Sequence, residues 1–172
     1  NIFPLSFLDV NPLPPQSKLG GLREKVGMVF QEHALFEHLT VLDNVTLAPI
    51  HARGWDRERA VKGATQWLES LGVAERASAF PKQLSGGQQQ RVELLKALYR
   101  HARLLILDEP TAVLTPLEVD EFFGILRRMR EQGKTVIIIT HKLSEVLAIS
   151  DEVTVMRDGK VVGRVQTKET NA

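Results

Sequence analysis

The sequence predicts an α/β fold with a parallel sheet, because two apolar runs flank a helical segment. Residues 104–107 (Leu-Leu-Ile-Leu) and residues 135–140 (Thr-Val-Ile-Ile-Ile-Thr) have the composition of buried parallel strands. The segment between them begins with the capping-box pattern of Thr115 and Glu118 and stops at Gly133. A strand, a helix and a second strand form a βαβ unit, so we expect parallel strands with a right-handed crossover.

A helical insertion is predicted at about residues 40–100. Thr40 and Asp43 have the spacing of a helix cap, Asp56 stands before a second periodic segment, and Ser85 with Gln88 forms a Ser-x-x-Gln capping box. Downstream, Asp-Gly at 158–159 lies between two short apolar segments and predicts a C-terminal β-hairpin. A further short strand is expected at residues 26–30, and irregular structure is expected over residues 1–22, which are rich in proline and glycine.

The composition is that of an ordinary globular protein. Hydrophobic residues make up 43% of the chain, charged residues 25%, and the net charge is +1, so no basic footprint for nucleic acid is present. The absence of cysteine excludes disulfides, thiolate zinc sites and iron–sulfur clusters, and it fits a cytoplasmic protein. No apolar run is long enough to predict a membrane span. The first residue is not Met, so we expect the chain to begin inside a longer one.

Polar side chains follow both predicted strands of the βαβ unit. Asp108 and Glu109 follow the first strand, and His141 follows the second. Ligands of open α/β sheets bind at the carboxyl ends of the strands. An Asp after an apolar strand can hold the Mg²⁺ of a nucleotide, and a Glu beside it can activate a water. The plain alternative is a carboxylate pair in a solvated loop.

A second candidate site lies at the start of the helix after residue 84. Ser85, Gly86 and Gly87 would expose backbone N–H groups at the positive end of the helix dipole, which is an anion-binding arrangement. The two glycines would let a phosphate approach the backbone closely. The plain alternative is a capping box that follows a loop.

Taken together, these motifs resemble the ABC ATPases. Leu-Ser-Gly-Gly-Gln-Gln-Gln-Arg at 84–91 resembles the signature motif, and residues 104–110 resemble Walker B with Glu109 as its catalytic glutamate. Gln31 resembles the Q-loop glutamine, and His141 the switch histidine. The resemblance covers about residues 22–164. It implies a P-loop NTPase-like (RecA-like) core, truncated at its N-terminus, formed by residues 22–39 and 101–172 around the helical signature subdomain.

The resemblance also implies roles for these residues. ATP and Mg²⁺ would lie between two subunits in a head-to-tail dimer. Glu109 would activate water and His141 would contact the γ-phosphate, while Gln31 and Asp108 would meet Mg²⁺. The signature residues would contact ATP held by the partner; they are Ser85, Gly86, Gly87 and Gln88. Transmembrane permease subunits would bind the residues after Gln31 and the helical segment up to Ser85. This contact would place the protein on the cytoplasmic face of the membrane, as a peripheral subunit of a solute importer.

The sequence departs from the family pattern in two respects. Val-Leu-Thr-Pro stands at 113–116, where many members have the Ala-Leu-Asp of the D-loop, and the P-loop is missing. No G-x-x-x-x-G-K-[ST] P-loop occurs in the sequence, so we expect this chain alone to be inactive. Residues 22–91 resemble polar amino-acid importers, whereas residues 92–172, with Val-Leu-Thr-Pro at 113–116, resemble sugar and nucleoside importers. A natural mosaic, a spliced chain and a divergent member remain open. So do two other functions, a soluble ABC ATPase of repair or translation and a non-catalytic fragment.

Overall fold

A computed structural model describes residues 25–31, 34–100 and 102–169. Its centre is a sheet of three strands in the order β1 (Val26–Val29), β2 (Leu104–Asp108) and β3 (Thr135–Ile139). Both pairings are parallel, as the βαβ pattern predicted, with Val29 opposite Leu107 and Asp108 opposite Ile139. The carboxyl ends of all three strands therefore meet at one edge of the sheet. The segment 1–22, predicted to be irregular, lies outside the described residues.

Three helices fill the stretch between β1 and β2. They are α1 (Val41–Arg53), α2 (Arg57–Ser70) and α3 (Gly86–Tyr99). Each begins at the predicted cap, because the side chains of Thr40, Asp56 and Ser85 accept hydrogen bonds from backbone N–H groups in the first turn. Single 3-10 turns at Ala74–Arg76 and Pro81–Gln83 connect α2 to α3.

Helix α3 is the centre of the hydrophobic core. Its apolar side chains pack between α1, α2 and the sheet, and Val92, Leu94 and Leu95 are fully buried. Burying one such side chain contributes roughly 1.5–3 kcal/mol. Gly27 of β1 permits the close approach of this helix, since a β-carbon there would lie 2.7 Å from Cβ of Ala97. The packing of α3 on the strands fixes where its N-terminus, at Ser85, lies.

Helix α4 (Pro116–Glu131) is the crossover between β2 and β3, and its capping box at Thr115 and Glu118 is formed as predicted. Its buried side chains include Phe122, Phe123 and Leu126. The prediction of a buried β3 is wrong for the residues described. Side chains of β3 are partly or fully accessible, and Ile139 is 49% exposed, because β3 is the edge strand of the three-stranded sheet.

After helix α5 (Leu143–Ile149), the chain continues into the predicted hairpin of β4 (Glu152–Arg157) and β5 (Lys160–Gln166). Asp158 and Gly159 both have positive φ, 51° and 73°, which is the conformation that a type I′ turn requires. A short 3-10 turn follows at Thr167–Glu169. Much of the hairpin's apolar surface is accessible, including Met156 and Val162.

Candidate functional site

A carboxylate–imidazole pair lies at the carboxyl edge of the sheet. Oε1 of Glu109, just after β2, is 2.7 Å from Nδ1 of His141, just after β3. The Glu109 side chain is only 17% exposed, whereas His141 is 81% exposed. Oε2 of Glu109 is buried and has no hydrogen-bond partner among the described residues. The pair thus offers a shielded acceptor oxygen next to an imidazole ring that faces solvent.

The backbone at Glu109 is held in an uncommon conformation. Its φ is 44°, in the left-handed region, and its N–H donates to the carbonyl of Ile139 at 2.8 Å. For a residue other than glycine this conformation costs on the order of 1–3 kcal/mol and is typical of functional sites. The sharp turn ends β2 and sets the direction of the Glu109 side chain. No local sequence pattern predicts this strain, which depends on the hydrogen bond that Glu109 donates to β3.

A buried polar network supports the loop after Glu109. Oγ1 of Thr111, which is fully buried, donates to Oε2 of Glu145 at 2.6 Å. Nζ of Lys142 lies 3.1 Å from Oε1 of Glu145 and 3.2 Å from both the carbonyl and the hydroxyl of Thr111. The network joins the loop after β2 to the start of α5, directly behind His141. No local sequence pattern marks these three residues as part of the site.

Gln31 and Asp108 lie at the same edge as the pair. Gln31 is exposed two residues after β1, and Asp108 is the last residue of the neighbouring strand β2. Amide and carboxylate oxygens are suitable ligands for Mg²⁺, which keeps several waters and takes few protein ligands. The described residues contain no cluster of three or more His, Asp and Glu side chains that would form a complete cage. The donors at this edge therefore fit Mg²⁺ bound together with a phosphate group better than a closed metal site.

The helix start at Ser85 forms a separate cluster. Oγ of Ser85 accepts from the N–H of Gln88 at 3.2 Å, and the Gln88 side chain accepts from the N–H of Ser85 at 3.1 Å, so the predicted capping box is present. Ser85 itself is exposed. Its hydroxyl also lies 3.3 Å from Oε1 of Glu118, at the start of α4.

Both glycines after Ser85 lie close to neighbouring atoms, a backbone carbonyl at Gly86 and the end of a flexible side chain at Gly87. A β-carbon on Gly86 would lie 3.0 Å from the carbonyl oxygen of Val113, and one on Gly87 would lie 2.5 Å from Oε1 of Glu118. Sequence analysis identified Glu118 as a helix cap and missed its contact with Ser85. Among the described residues, no hydrogen bond or ion pair joins the Ser85 cluster to Glu109 and His141.

A groove of about 490 Å³ opens between β1, the segment after Gln31, α1 and α3. Met28, Phe30 and Phe36 give it an accessible apolar rim. Asn44 fixes the segment, since its side chain accepts from the N–H of Phe36 at 2.8 Å and donates to three carbonyls. Nζ of Lys96 donates to the carbonyl of Ala34 at 2.7 Å, and burial lowers the pKa of Lys96.

Comparison with known proteins identifies the class of protein to which this chain belongs. A family model described as "ABC transporter" matches residues 9–112, which is more than half of the chain. The chain therefore belongs to the ABC transporter family, whose ATPase domains have the P-loop NTPase fold. The resemblance in the sequence is confirmed.

Similar curated proteins are ATP-binding components of importers. The chain is 42% identical over 156 residues to the glutamate transport ATP-binding protein GluA of Corynebacterium glutamicum, covering 90% of this chain and 64% of GluA. It is also 42% identical over 151 residues to the xylose import ATP-binding protein XylG of Moorella thermoacetica, covering 87% of this chain and 30% of XylG. The chain thus spans less than two thirds of the length of these relatives. Both an amino-acid and a sugar importer are among them, in line with the two subfamily resemblances.

A solved structure confirms the fold class. A dimeric ATP-binding cassette in a post-hydrolysis state, bound to ADP and Pi, aligns with a TM-score of 0.79 and 31% identity. The alignment covers 90% of this chain and 68% of that one. Within the described part of the chain, no helix is both long enough and apolar enough to cross a membrane.

Proposed function

We propose that this chain carries the Q-loop, signature, Walker B and switch elements of the ATP-binding subunit of an ABC importer, which couples ATP binding and hydrolysis to solute uptake. The observation that carries the proposal is the 2.7 Å contact between Glu109 and His141 at the carboxyl edge of the sheet. The family match and the transport relatives support it.

Glu109 is the proposed general base. Its oxygen Oε1 is engaged by His141, and its second oxygen Oε2, which is buried and has no hydrogen-bond partner among the described residues, would accept a proton once an attacking water reaches it. His141 directs Nδ1 to Glu109, which leaves its exposed ring free to contact the γ-phosphate. Gln31 and Asp108 would hold Mg²⁺, and the bound ion would supply neutralisation of phosphate charge. The strained turn at Glu109 and the network of Thr111, Lys142 and Glu145 hold the pair in place.

The signature cluster is proposed to act on the ATP of a second subunit. Ser85, Gly86, Gly87 and Gln88 lie on a different element from Glu109 and His141, and no polar contact joins the two clusters in the described residues. A head-to-tail dimer would bring the signature cluster of one subunit to the Glu109 site of the other. The similar cassette bound to ADP and Pi is itself dimeric.

The groove beside Gln31 is the proposed contact for a transmembrane permease subunit. An apolar rim with Met28, Phe30 and Phe36 suits a short amphipathic helix laid into a groove. Ala34 and Phe36, which follow Gln31 in the chain, form one wall, so occupation of the groove would affect the position of Gln31, the proposed Mg²⁺ ligand. This contact would place the subunit peripherally on the inner face of the cell membrane.

We further propose that the 172-residue chain does not hydrolyse ATP alone. Its sequence contains no P-loop, so the phosphates would lack their backbone cradle and the lysine. Phosphoryl transfer depends on positioning and charge stabilisation, and positioning alone can contribute roughly 7–11 kcal/mol.

The test is a chimera in which the P-loop segment of a relative such as GluA precedes this chain. We expect the chimera to release phosphate from ATP and the 172-residue chain to release none. In the chimera, Glu109→Gln should abolish release while sparing ATP binding, because the amide keeps the shape but accepts no proton. Asp158→Asn in the hairpin turn serves as the control and should change neither. Phosphate release by the unmodified chain that is lost on Glu109→Gln would refute the inactivity proposal. Unchanged turnover of the chimera on Glu109→Gln would refute the role of Glu109.

A further inference from the structure

The carboxylate of Glu118 lies at the proposed signature site, where a negative charge is unexpected. Its Oε1 is 3.3 Å from Oγ of Ser85 and would be only 2.5 Å from a β-carbon on Gly87. The carboxylate thus occupies the space beside Gly87, where the glycines would admit a phosphate. We infer that Glu118 gates the signature site: it holds the Ser85 hydroxyl when no anion is present and must release it when a phosphate binds.

The hydrogen bonds of Ser85 support this inference. The hydroxyl of Ser85 accepts a hydrogen bond from the N–H of Gln88, and it has a single proton of its own to donate. An ionised carboxylate is acceptor-only, so the contact with Glu118 uses that proton. A phosphate oxygen also needs it. Glu118 and a phosphate therefore compete for one donor, and their negative charges repel each other.

The other groups around Glu118 hold its carboxylate in position and do not neutralise its negative charge. The N–H and hydroxyl of Thr115 both donate to its Oε2 at 2.9 Å, which fixes the carboxylate at the start of α4. The nearby guanidinium of Arg91 forms its ion pair with Glu121, one turn further along the helix. Oε1 of Glu118 is thus directed to Ser85 while Oε2 remains bound to Thr115, so release of Ser85 does not require the helix cap to break.

The inference rests on the proposed contact of Ser85 with phosphate, and it concerns how that contact is regulated. The simpler role of Glu118 is its capping box, and the two roles are separable. Glutamine also serves at this position of a capping box, so Glu118→Gln removes the charge and keeps the cap. Asp120→Asn is a matched control, because it removes one negative charge from the exposed side of the same helix.

The experiment titrates sodium sulfate into the isotope-labelled 172-residue chain and follows the backbone amide resonances of residues 85–88. We expect Glu118→Gln to bind sulfate about fivefold more tightly than the unmodified chain, because one nearby like charge is removed. Asp120→Asn should bind as the unmodified chain does. Thermal unfolding should show Glu118→Gln to be more stable than Glu118→Ala, because the glutamine keeps the cap. Glu118→Ala, which removes charge and cap together, should also bind more tightly although it is less stable.

Three other outcomes are distinguishable. Equal sulfate affinity of the unmodified chain and both Glu118 variants overturns the gate and leaves the signature anion site standing. Tighter binding by Asp120→Asn to the same extent also overturns the gate, since net charge alone then explains the gain. No sulfate-dependent shift at residues 85–88 in any variant overturns the gate and contradicts the proposed phosphate contact of Ser85 as well.

Discussion

Substituting Thr111 with valine should destabilise the protein by removing a buried hydrogen bond behind the proposed active site. The side chains are nearly the same size, and Thr111 is fully buried, so the main change is loss of the hydroxyl. That hydroxyl donates to Oε2 of Glu145 at 2.6 Å. Hydrogen bonds to charged groups contribute roughly 1.5–3 kcal/mol, because the partner is otherwise left buried and unpaired. Lys142 keeps its contact with the other oxygen of Glu145 and limits the loss.

The assay is urea and thermal unfolding followed by far-ultraviolet circular dichroism. A loss of that size corresponds to a Tm lower by about 3–12 °C for a domain of this length. Thr111→Ser is the control, since it keeps the hydroxyl and loses only a methyl group, which costs about 1 kcal/mol. In a Glu145→Ala background, Thr111→Val should cost less than it does in the unmodified chain, because the acceptor is already gone and only the contact with Nζ of Lys142 is lost. Equal costs for Thr111→Val and Thr111→Ser would refute the reasoning.

Three further predictions concern packing, pH and assembly. Gly27→Ala should destabilise the fold by about 1–3 kcal/mol, because the new β-carbon would lie 2.7 Å from Cβ of Ala97. The control is Gly163→Ala, which should have little effect because the space around Gly163 is open. Urea unfolding measures the stability of both variants. Hydrogen bonds from the N–H and then from the hydroxyl of Thr115 lower the pKa of Glu118. The ionised Glu118 side chain therefore stabilises the fold above the ordinary glutamate pKa of about 4.3, and this stabilisation is lost as the pH falls through the lowered pKa. The stability difference between the unmodified chain and Glu118→Gln should therefore shrink on acidification; a constant difference from pH 7 down to about pH 2 would count against this. The 172-residue chain should self-associate in sedimentation velocity, because β3 is an open edge in the described sheet and the hairpin exposes Met156 and Val162, whereas a sharp monomer peak would contradict it.

Local sequence determined most of the elements of this fold. A helix cap depends on a side chain that bonds to the backbone within three residues, so a short sequence pattern is enough to predict where the helix begins. The caps predicted in this way are Thr40, Asp56, Ser85 and Thr115. The Asp-Gly turn is equally local, because only its own two residues must adopt positive φ. The candidate residues Asp108, Glu109 and His141 were identified because parallel strands place their carboxyl ends at one edge.

Contacts between distant segments were decided by the tertiary structure. The hydrogen bond of Thr111 with Glu145 and the approach of Glu118 to Ser85 join residues 34 and 33 positions apart, so no local pattern encodes them. The strain at Glu109 depends on a carbonyl of the neighbouring strand. The accessibility of β3 depends on which strands lie beside it, which an apolar run does not specify. Sequence alone thus determined the elements and the chemistry-bearing residues, because caps, turns and periodicity act within a few residues. The tertiary structure decided which side chains meet, because the packing of α3 and α4 on the strands brings segments that are distant in the sequence together.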